Sequence, residues 1–402
     1  MAAANQIKVL VVDDSAFMRK MLTDIFKVQP DMVVVGTASN GRDAITETMR
    51  LEPDVVTMDI MMPEVDGIEA LVEIMRKRPT PVIMVTGVGK EEAEIMMRCF
   101  EAGAIEFITK PSGTVSLDIH KIKDELLEKV RNAARMEVKP LSPPTDEGRS
   151  GAVQAPTVAQ VGVAATSVSP SDAQTTGEGK VCYDVETPKE PGIWVDDKVC
   201  ELATNKLPSI ELKLIAIGSS TGGPQVLSRI VPRLPAHLNY AIIIVQHMPP
   251  TFTVSFADRL AKRSRLVIKE AQHGDIIKRG HVYVAPGDLH VQIAERNVGG
   301  KKVPIIEMNA EPKLHGVRPS VDVLMRSVAK VFGKNSIGVI LTGMGKDGAV
   351  GMKEIAEVGG RTIVQDRSTA TVYGMPGAVL ELIKVDKVAP VDEIAMQILE
   401  FL

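Results

Sequence analysis

The sequence predicts an α/β protein built from two doubly wound parallel-sheet regions joined by a long flexible linker. Three observations predict it. From residue 7 to about 134, short apolar runs alternate with stretches whose apolar residues recur every three or four positions. The same alternation resumes at Leu212. Between the two, Ser, Thr, Pro, Gly, Ala and Val recur without lasting period. A short apolar run bounded by turn residues fits a buried strand, and spacing of three and four is one face of a helix. Strands alternating with helices give a parallel sheet covered on both faces. The expected organisation is a first domain over 1–137, a linker over 138–208 and a second domain over 209–402.

In the first region, Lys8–Val12, Met32–Gly36, Val55–Met58, Pro81–Thr86 and Ile105–Thr109 read as strands. Met18–Phe26, Ala44–Leu51, Gly67–Met75 and Glu91–Phe100 read as helices between them, and a last helix runs from about Leu117 to Met136. The linker cannot bury enough apolar surface to fold, and as a coil it would span about 45–50 Å. It holds a small apolar patch, Gly192-Ile-Trp-Val195, with the sole Trp of the chain, Trp194. In the second region, Leu214–Ile217, Ala241–Val245, Gly338–Leu341 and Arg361–Val364 are strand candidates. His281–Ala285, Leu289–Glu295 and Lys302–Met308 lie close together between turn-like glycines and read as an antiparallel hairpin or meander on that sheet. A helix over Val391–Phe401 closes the pattern.

Composition excludes several classes. The 402 residues carry 47 Lys and Arg against 51 Asp and Glu, a formal charge of −4, so no general attraction to nucleic acid is expected. No apolar run reaches the length of a membrane span, and no signal-peptide core precedes the first strand, so a cytoplasmic protein is expected. Cys99, Cys182 and Cys200 are scattered and odd in number, which supports neither a disulfide framework nor a zinc cluster.

Two constellations carry chemistry. In the first, Asp13 and Asp14 follow the first strand, Asp59 ends the third, Thr86 the fourth, and Lys110 follows the fifth. The carboxyl ends of parallel strands line one crevice. Three carboxylates there repel one another unless a cation sits among them, and hard oxygen ligands with room for a phosphoryl oxygen suit Mg²⁺. Lys110 and Thr86 could hold the other phosphoryl oxygens. Singly, each residue has a plainer reading: Asp14 or Ser15 as a helix cap, Thr86 as a turn residue, Lys110 as a surface charge.

In the second, the run Leu214–Ile217 turns through Gly218-Ser-Ser220-Thr-Gly222 into a helix that Pro224 opens. This fits a G-x-S-x-G nucleophile elbow, which exposes Ser220 beside free N–H groups able to hold an oxyanion. The competing reading is a glycine-rich cap or phosphate cradle, though the Lys-Ser/Thr ending of a P-loop is missing. Serine needs a base. His237, His247, His273, His281, His290 and His315 follow the linker, and only His247 ends a buried strand. Asp347 lies in the loop after a further strand, where capping is its plainer role. Ser220, His247 and Asp347 on one sheet edge form a triad with nucleophile, base and orienting acid.

The stretches "VLVVDDSAFMRK", "DVVTMDIMMPEVDG", "PVIMVTG" and "GAIEFITKP" resemble the receiver domain of two-component response regulators. The resemblance implies a flavodoxin-like fold and phosphoryl transfer to Asp59. It also implies Mg²⁺ on Asp13, Asp14 and Asp59, and a switch made of Thr86, Phe107 and Lys110. "AIGSSTGGP", "IIIVQHMPPTFT", "VRPSVDVL" and "GVILTGMGKDGAVGM" resemble the catalytic domain of chemotaxis protein-glutamate methylesterases, a Rossmann-like fold whose order Ser…His…Asp differs from that of α/β-hydrolases.

That second likeness implies demethylation of glutamate methyl esters on chemoreceptors with release of methanol, and deamidation of receptor glutamines. No cofactor is implied for the ester reaction. Backbone N–H groups of Thr221 and Met344 would form the oxyanion site, and a chemotaxis histidine kinase would be the phosphodonor. Ser219 stands where the family commonly has Ala, a change expected to matter little. The linker looks longer than the family's, which would weaken inhibition by the receiver. A regulator that has lost activity and serves as a scaffold is the alternative. A DNA-binding regulator is disfavoured because the second region shows α/β alternation.

Overall fold

The computed structural model describes residues 6–86, 90–110, 119–136, 138, 212–237, 239–298 and 301–402. Apart from Val138, the expected linker, with Trp194, Cys182 and Cys200, lies outside the described residues, as does Pro111.

The N-terminal sheet contains β1 (Ile7–Val12), β2 (Met32–Ala38), β3 (Val55–Asp59), β4 (Val82–Thr86) and β5 (Glu106–Thr109). The order is β2-β1-β3-β4-β5 and every pairing is parallel. Helices α1 (Ala16–Lys27), α2 (Gly41–Leu51), α3 (Gly67–Lys77), α4 (Lys90–Glu101) and α5 (Ile119–Ala133) connect and cover the strands. Polar side chains start three of them: Ser15 accepts from Met18 N–H, Asn40 from Asp43 N–H, and Asp66 from Ile68 and Glu69 N–H. Because Ser15 caps α1, Asp14 remains available for other work. Strand order reverses between β1 and β3, so the crevice beyond their carboxyl ends is where a ligand binds in such a sheet. Asp13 and Asp59 stand there.

The C-terminal sheet is also wholly parallel. Its strands are β6 (Lys213–Ser219), β7 (Tyr240–Gln246), β8 (Val267–Glu270), β9 (His281–Val284), β12 (Ser336–Ile340), β13 (Arg361–Gln365) and β14 (Lys387–Ala389), in the order β14-β13-β12-β6-β7-β9-β8. Its helices are α6 (Gly223–Ile230), α7 (Pro250–Lys262), α8 (Val321–Phe332), α9 (Ala349–Glu357), α10 (Gly374–Leu382) and α11 (Val391–Glu400). Every residue of β7 is buried, which explains its unbroken apolar run. Burial of each of Ile242, Ile243 and Ile244 contributes roughly 1.5–3 kcal/mol. Strand order reverses here between β12 and β6, the two strands that lead to Asp347 and Ser220.

The expected meander divides into two parts. β10 (His290–Val298) and β11 (Lys301–Asn309) form a separate antiparallel hairpin, whereas β9 pairs in parallel with β7 and β8 inside the main sheet. Turn residues flanking β9 suggested a hairpin, but its backbone finds its partners across the helical crossover α7. β8 and β14 were not expected, since they are only four and three residues long and sit at the two sheet edges with partly exposed side chains.

Candidate functional site

Ser220 follows β6 directly, and the chain turns through Gly222, at φ +77°, into α6. That left-handed conformation suits glycine. The next position also needs glycine, because a side chain at Gly223 would collide with Gln246 and Ser219. The helix starts at Gly223, one residue before the proline expected to open it. Three contacts set the height of the elbow: Ser220 N–H donates to the Thr342 carbonyl (3.0 Å), the Gln246 amide donates to the Ser220 carbonyl (2.8 Å), and His247 N–H donates to the Ser219 carbonyl (3.1 Å). β6, β7 and β12 thus bring their three carboxyl ends together.

His247 Nε2 lies 2.9 Å from Asp347 Oδ2. Asp347 is buried and accepts three further bonds: from Ser320 Oγ (2.7 Å), Val321 N–H (2.7 Å) and Asp322 N–H (3.1 Å). Burial alone would raise the pKa of Asp347. The bond and charge of His247, with the Ser320 and Val321 donors, outweigh it and hold the carboxyl below its ordinary range. An ionised Asp347 makes His247 the donor at Nε2, which leaves Nδ1 as the nitrogen able to take a proton. Among the described residues no hydrogen bond joins Ser220 Oγ to His247; contacts of this kind tighten when substrate binds. The N–H groups of Thr221 and Met344 meet no acceptor among the described residues. Of the other histidines, His290 is buried with both ring nitrogens engaged, and His315 bonds Asp322 (3.0 Å).

In the first sheet, Asp13 and Asp59 are buried and Asp14 is exposed, with carboxylate oxygens of all three within 4.8 Å of one another. Lys110 Nζ lies 2.8 Å from Asp59 Oδ2 and 3.1 Å from Asp13 Oδ2. Asp13 Oδ2 has charge contact but no well-formed hydrogen bond, a buried oxygen free to ligate. Burial, with Asp13 beside it, pushes Asp59 above its ordinary pKa, and Lys110 reverses only part of this. Burial opposes the charge on Lys110, but Asp59 and Asp13 outweigh it and raise its pKa. An oxygen-only trio with an unsatisfied lone pair fits a hard divalent cation.

Residues 215–398 match the CheB methylesterase family model, and residues 9–120 match the response regulator receiver domain. The protein-glutamate methylesterase/protein-glutamine glutaminase of Pyrococcus abyssi is 40% identical over 395 residues, covering 97% of this chain and 92% of that one. The chain belongs to the protein-glutamate methylesterase/protein-glutamine glutaminase family. It is a hydrolase of the chemotaxis response-regulator type, with a receiver ahead of a methylesterase region.

The protein of the same name from Methanococcus maripaludis is 41% identical over 397 residues, covering 99% of this chain and 98% of that one. The crystal structure of the Thermotoga maritima CheB methylesterase catalytic domain is 40% identical and covers 48% of this chain and all of that one, with a TM-score of 0.46.

The receiver packs on the methylesterase region at the elbow itself. Glu106 Oε2 accepts from Thr221 Oγ1 (2.6 Å), the Asn132 amide reaches Met344 Sδ, and the Gln225 amide donates to the Phe100 and Ala104 carbonyls. Phe107 is buried with its ring centroid 5.0 Å from that of Phe252, and Lys129 Nζ sits 5.1 Å above it. Glu101 at the end of α4 pairs with Arg259 of α7 and with Arg263, which caps that helix. Thr86 is buried, and its carbonyl accepts from Lys110 N–H (2.6 Å). One strand, β5, therefore carries the aromatic at the interface and leads directly into the lysine at the acidic crevice.

Two residues at the site have roles that their sequence context does not show. Ser219 is buried and donates to Gln246 Oε1 (2.7 Å), the amide whose other end holds the Ser220 carbonyl, so its hydroxyl has a task that an alanine could not perform. Ser320 is the other; it lies in the stretch "VRPSVDVL" that carries the family resemblance, but a serine before a helical pattern also fits an ordinary cap.

Proposed function

We propose that Ser220, His247 and Asp347 hydrolyse glutamate methyl esters and glutamine side chains of chemoreceptors, and that a phosphoryl group on Asp59 governs access to them. One observation carries the reading. The receiver touches Thr221, next to Ser220 in the elbow, through Glu106, and Met344, in the loop after β12, through Asn132. A regulator placed there controls a reaction at Ser220.

Ser220 Oγ attacks the ester carbonyl carbon while His247 Nδ1 takes its proton, and Asp347 stabilises the resulting imidazolium. The tetrahedral oxyanion accepts the N–H groups of Thr221 and Met344. Collapse breaks the bond to the methoxy oxygen, which leaves as methanol with the proton from His247. Water then attacks the acyl-serine, again passing a proton to His247. The second collapse returns that proton to Ser220 and frees the glutamate. With a glutamine side chain the leaving group is ammonia and the steps are the same.

On the receiver, Asp59 takes the phosphoryl group from a phosphohistidine of the kinase. Asp13, Asp14 and Asp59 would hold Mg²⁺, which supplies positive charge for the phosphoryl oxygens as they approach. Lys110 exchanges its bond to the Asp59 carboxylate for one to a phosphoryl oxygen. Thr86 turns toward the phosphoryl group, and Phe107 leaves its place against Phe252. A change of roughly 1.4 kcal/mol in docking shifts covered against open tenfold. The test is methanol release from a methylated receptor by the full chain, with and without acetyl phosphate. The rate should rise with the donor in the wild type and stay low in Asp59→Asn. Equal wild-type rates would overturn the regulatory half of the reading.

A further inference from the structure

We propose that Ser320 is a positioning residue of this hydrolase, acting on His247 through Asp347; the proposal rests on the triad reading above. Ser320 occupies the N-cap position of α8, with extended backbone at φ −109°, ψ 136°. A serine there ordinarily accepts from an N–H of the first turn. Ser320 makes no such bond. Its hydroxyl instead donates to Asp347 Oδ1 at 2.7 Å, and the Asp347 carboxylate, from another loop, takes the helix N–H groups of Val321 and Asp322. The cap has been handed over, and the hydroxyl it frees is spent on the acid.

The arrangement divides the carboxylate's work. Oδ1 is filled by Ser320 and by the longer bond from Asp322 N–H, while Oδ2 receives Val321 N–H and His247. Ser320 is fully buried, and its own N–H donates to His290 Nδ1 (3.2 Å), so the residue cannot swing away without breaking a second bond. Two titratable groups stand beside the carboxylate: an Asp322 oxygen and a His315 ring nitrogen each lie within 4.8 Å of an Asp347 oxygen, with Asp322 held by Gly351 N–H (2.7 Å) and His315 (3.0 Å), while His290 Nε2 faces the Pro312 carbonyl (3.2 Å). Without the Ser320 hydroxyl, Oδ1 keeps only the 3.1 Å bond from Asp322 N–H. The carboxylate can then rotate, and more of its charge falls on His247. A more strongly paired imidazolium holds its proton to higher pH, and an under-bonded Asp347 also protonates more easily. Both effects move the acid limb of the rate profile the same way.

The experiment measures methanol release by the full chain, activated with acetyl phosphate, from a receptor-helix peptide bearing a glutamate methyl ester. kcat/KM is followed against pH for wild type, Ser320→Ala, Ser320→Cys and Ser320→Thr. Loss of the hydroxyl in Ala should cost about tenfold in plateau kcat/KM, the order of one hydrogen bond to a charged group, and raise the acid limb by roughly 0.5–1 in pH. Cys, a weak donor of similar size, should follow Ala and serves if Ala does not fold. Thr, which keeps the hydroxyl, should restore the wild-type limb. Acid limbs of Ala and Cys that coincide with wild type, whatever their plateau rates, would overturn the proposal, because a purely structural loss lowers the plateau alone. If wild type releases no methanol, the triad reading itself has failed.

Discussion

Glu101→Arg should switch on the unphosphorylated enzyme. Glu101 belongs to the receiver, at the end of α4, and its carboxylate accepts from Arg259 (2.9 Å) and Arg263 (3.1 Å) of the methylesterase region. Its side chain is 44% exposed, as against 24% for Arg259 and 53% for Arg263, so solvent screens both pairs. Exposed pairs contribute about 0.2–1 kcal/mol each. Reversal of the charge removes both attractions and sets three guanidinium groups together, which places the loss of docking energy at about 1–2 kcal/mol. The open population then rises about 5–30-fold. The residue touches neither the acidic crevice nor the elbow, so chemistry at both centres is left alone. The assay is methanol release by the full chain without phosphodonor, with thermal unfolding as a check on the fold. Gain should disappear when Arg259→Glu and Arg263→Glu restore opposite charges across the interface. A well-folded Glu101→Arg chain no faster than wild type would refute control by this docked surface.

Two further outcomes follow from the sites. Incubation with acetyl phosphate and Mg²⁺ should place a phosphoryl label on Asp59, found by mass spectrometry; chelation of the metal or Asp59→Asn should remove it, and labelling elsewhere at equal yield would contradict the assignment. Asp347→Asn should lower kcat by up to about 10⁴-fold, as in the triad template. It should also flatten the acid side of the stability profile. The depressed carboxyl contributes stability that is present above the unfolded pKa of about 3.9 and is lost as pH falls through the folded value. Denaturant titrations across that window should therefore lose slope in the variant.

The alternation of strands and helices was legible because both sheets bury their strands on two faces, which forces continuous apolar runs such as Ala241–Val245. The strand-end residues Asp13, Asp59, Ser220, His247 and Asp347 were legible for the same reason: a parallel sheet sends all its carboxyl ends to one side. Pairing partners were not. β9 looked like a hairpin arm because local turns say nothing about which distant strand accepts its N–H groups. Ser320 was hidden by its own residue type, since a serine before a helix satisfies the ordinary capping pattern whether or not its hydroxyl serves that helix. The contact of Glu106 with Thr221 joins residues 115 positions apart, and no local pattern encodes it. Ser219 was set aside as a minor change because its value depends on the far end of Gln246, one strand away.

The most direct test of the account is methanol release from a methylated receptor by the full chain and its Ser220→Ala variant, each with and without acetyl phosphate. The wild type should show a low basal rate that the phosphodonor raises, and Ser220→Ala should release no methanol above the uncatalysed background in either condition. Near-normal turnover by Ser220→Ala would contradict the covalent serine mechanism on which the rest depends.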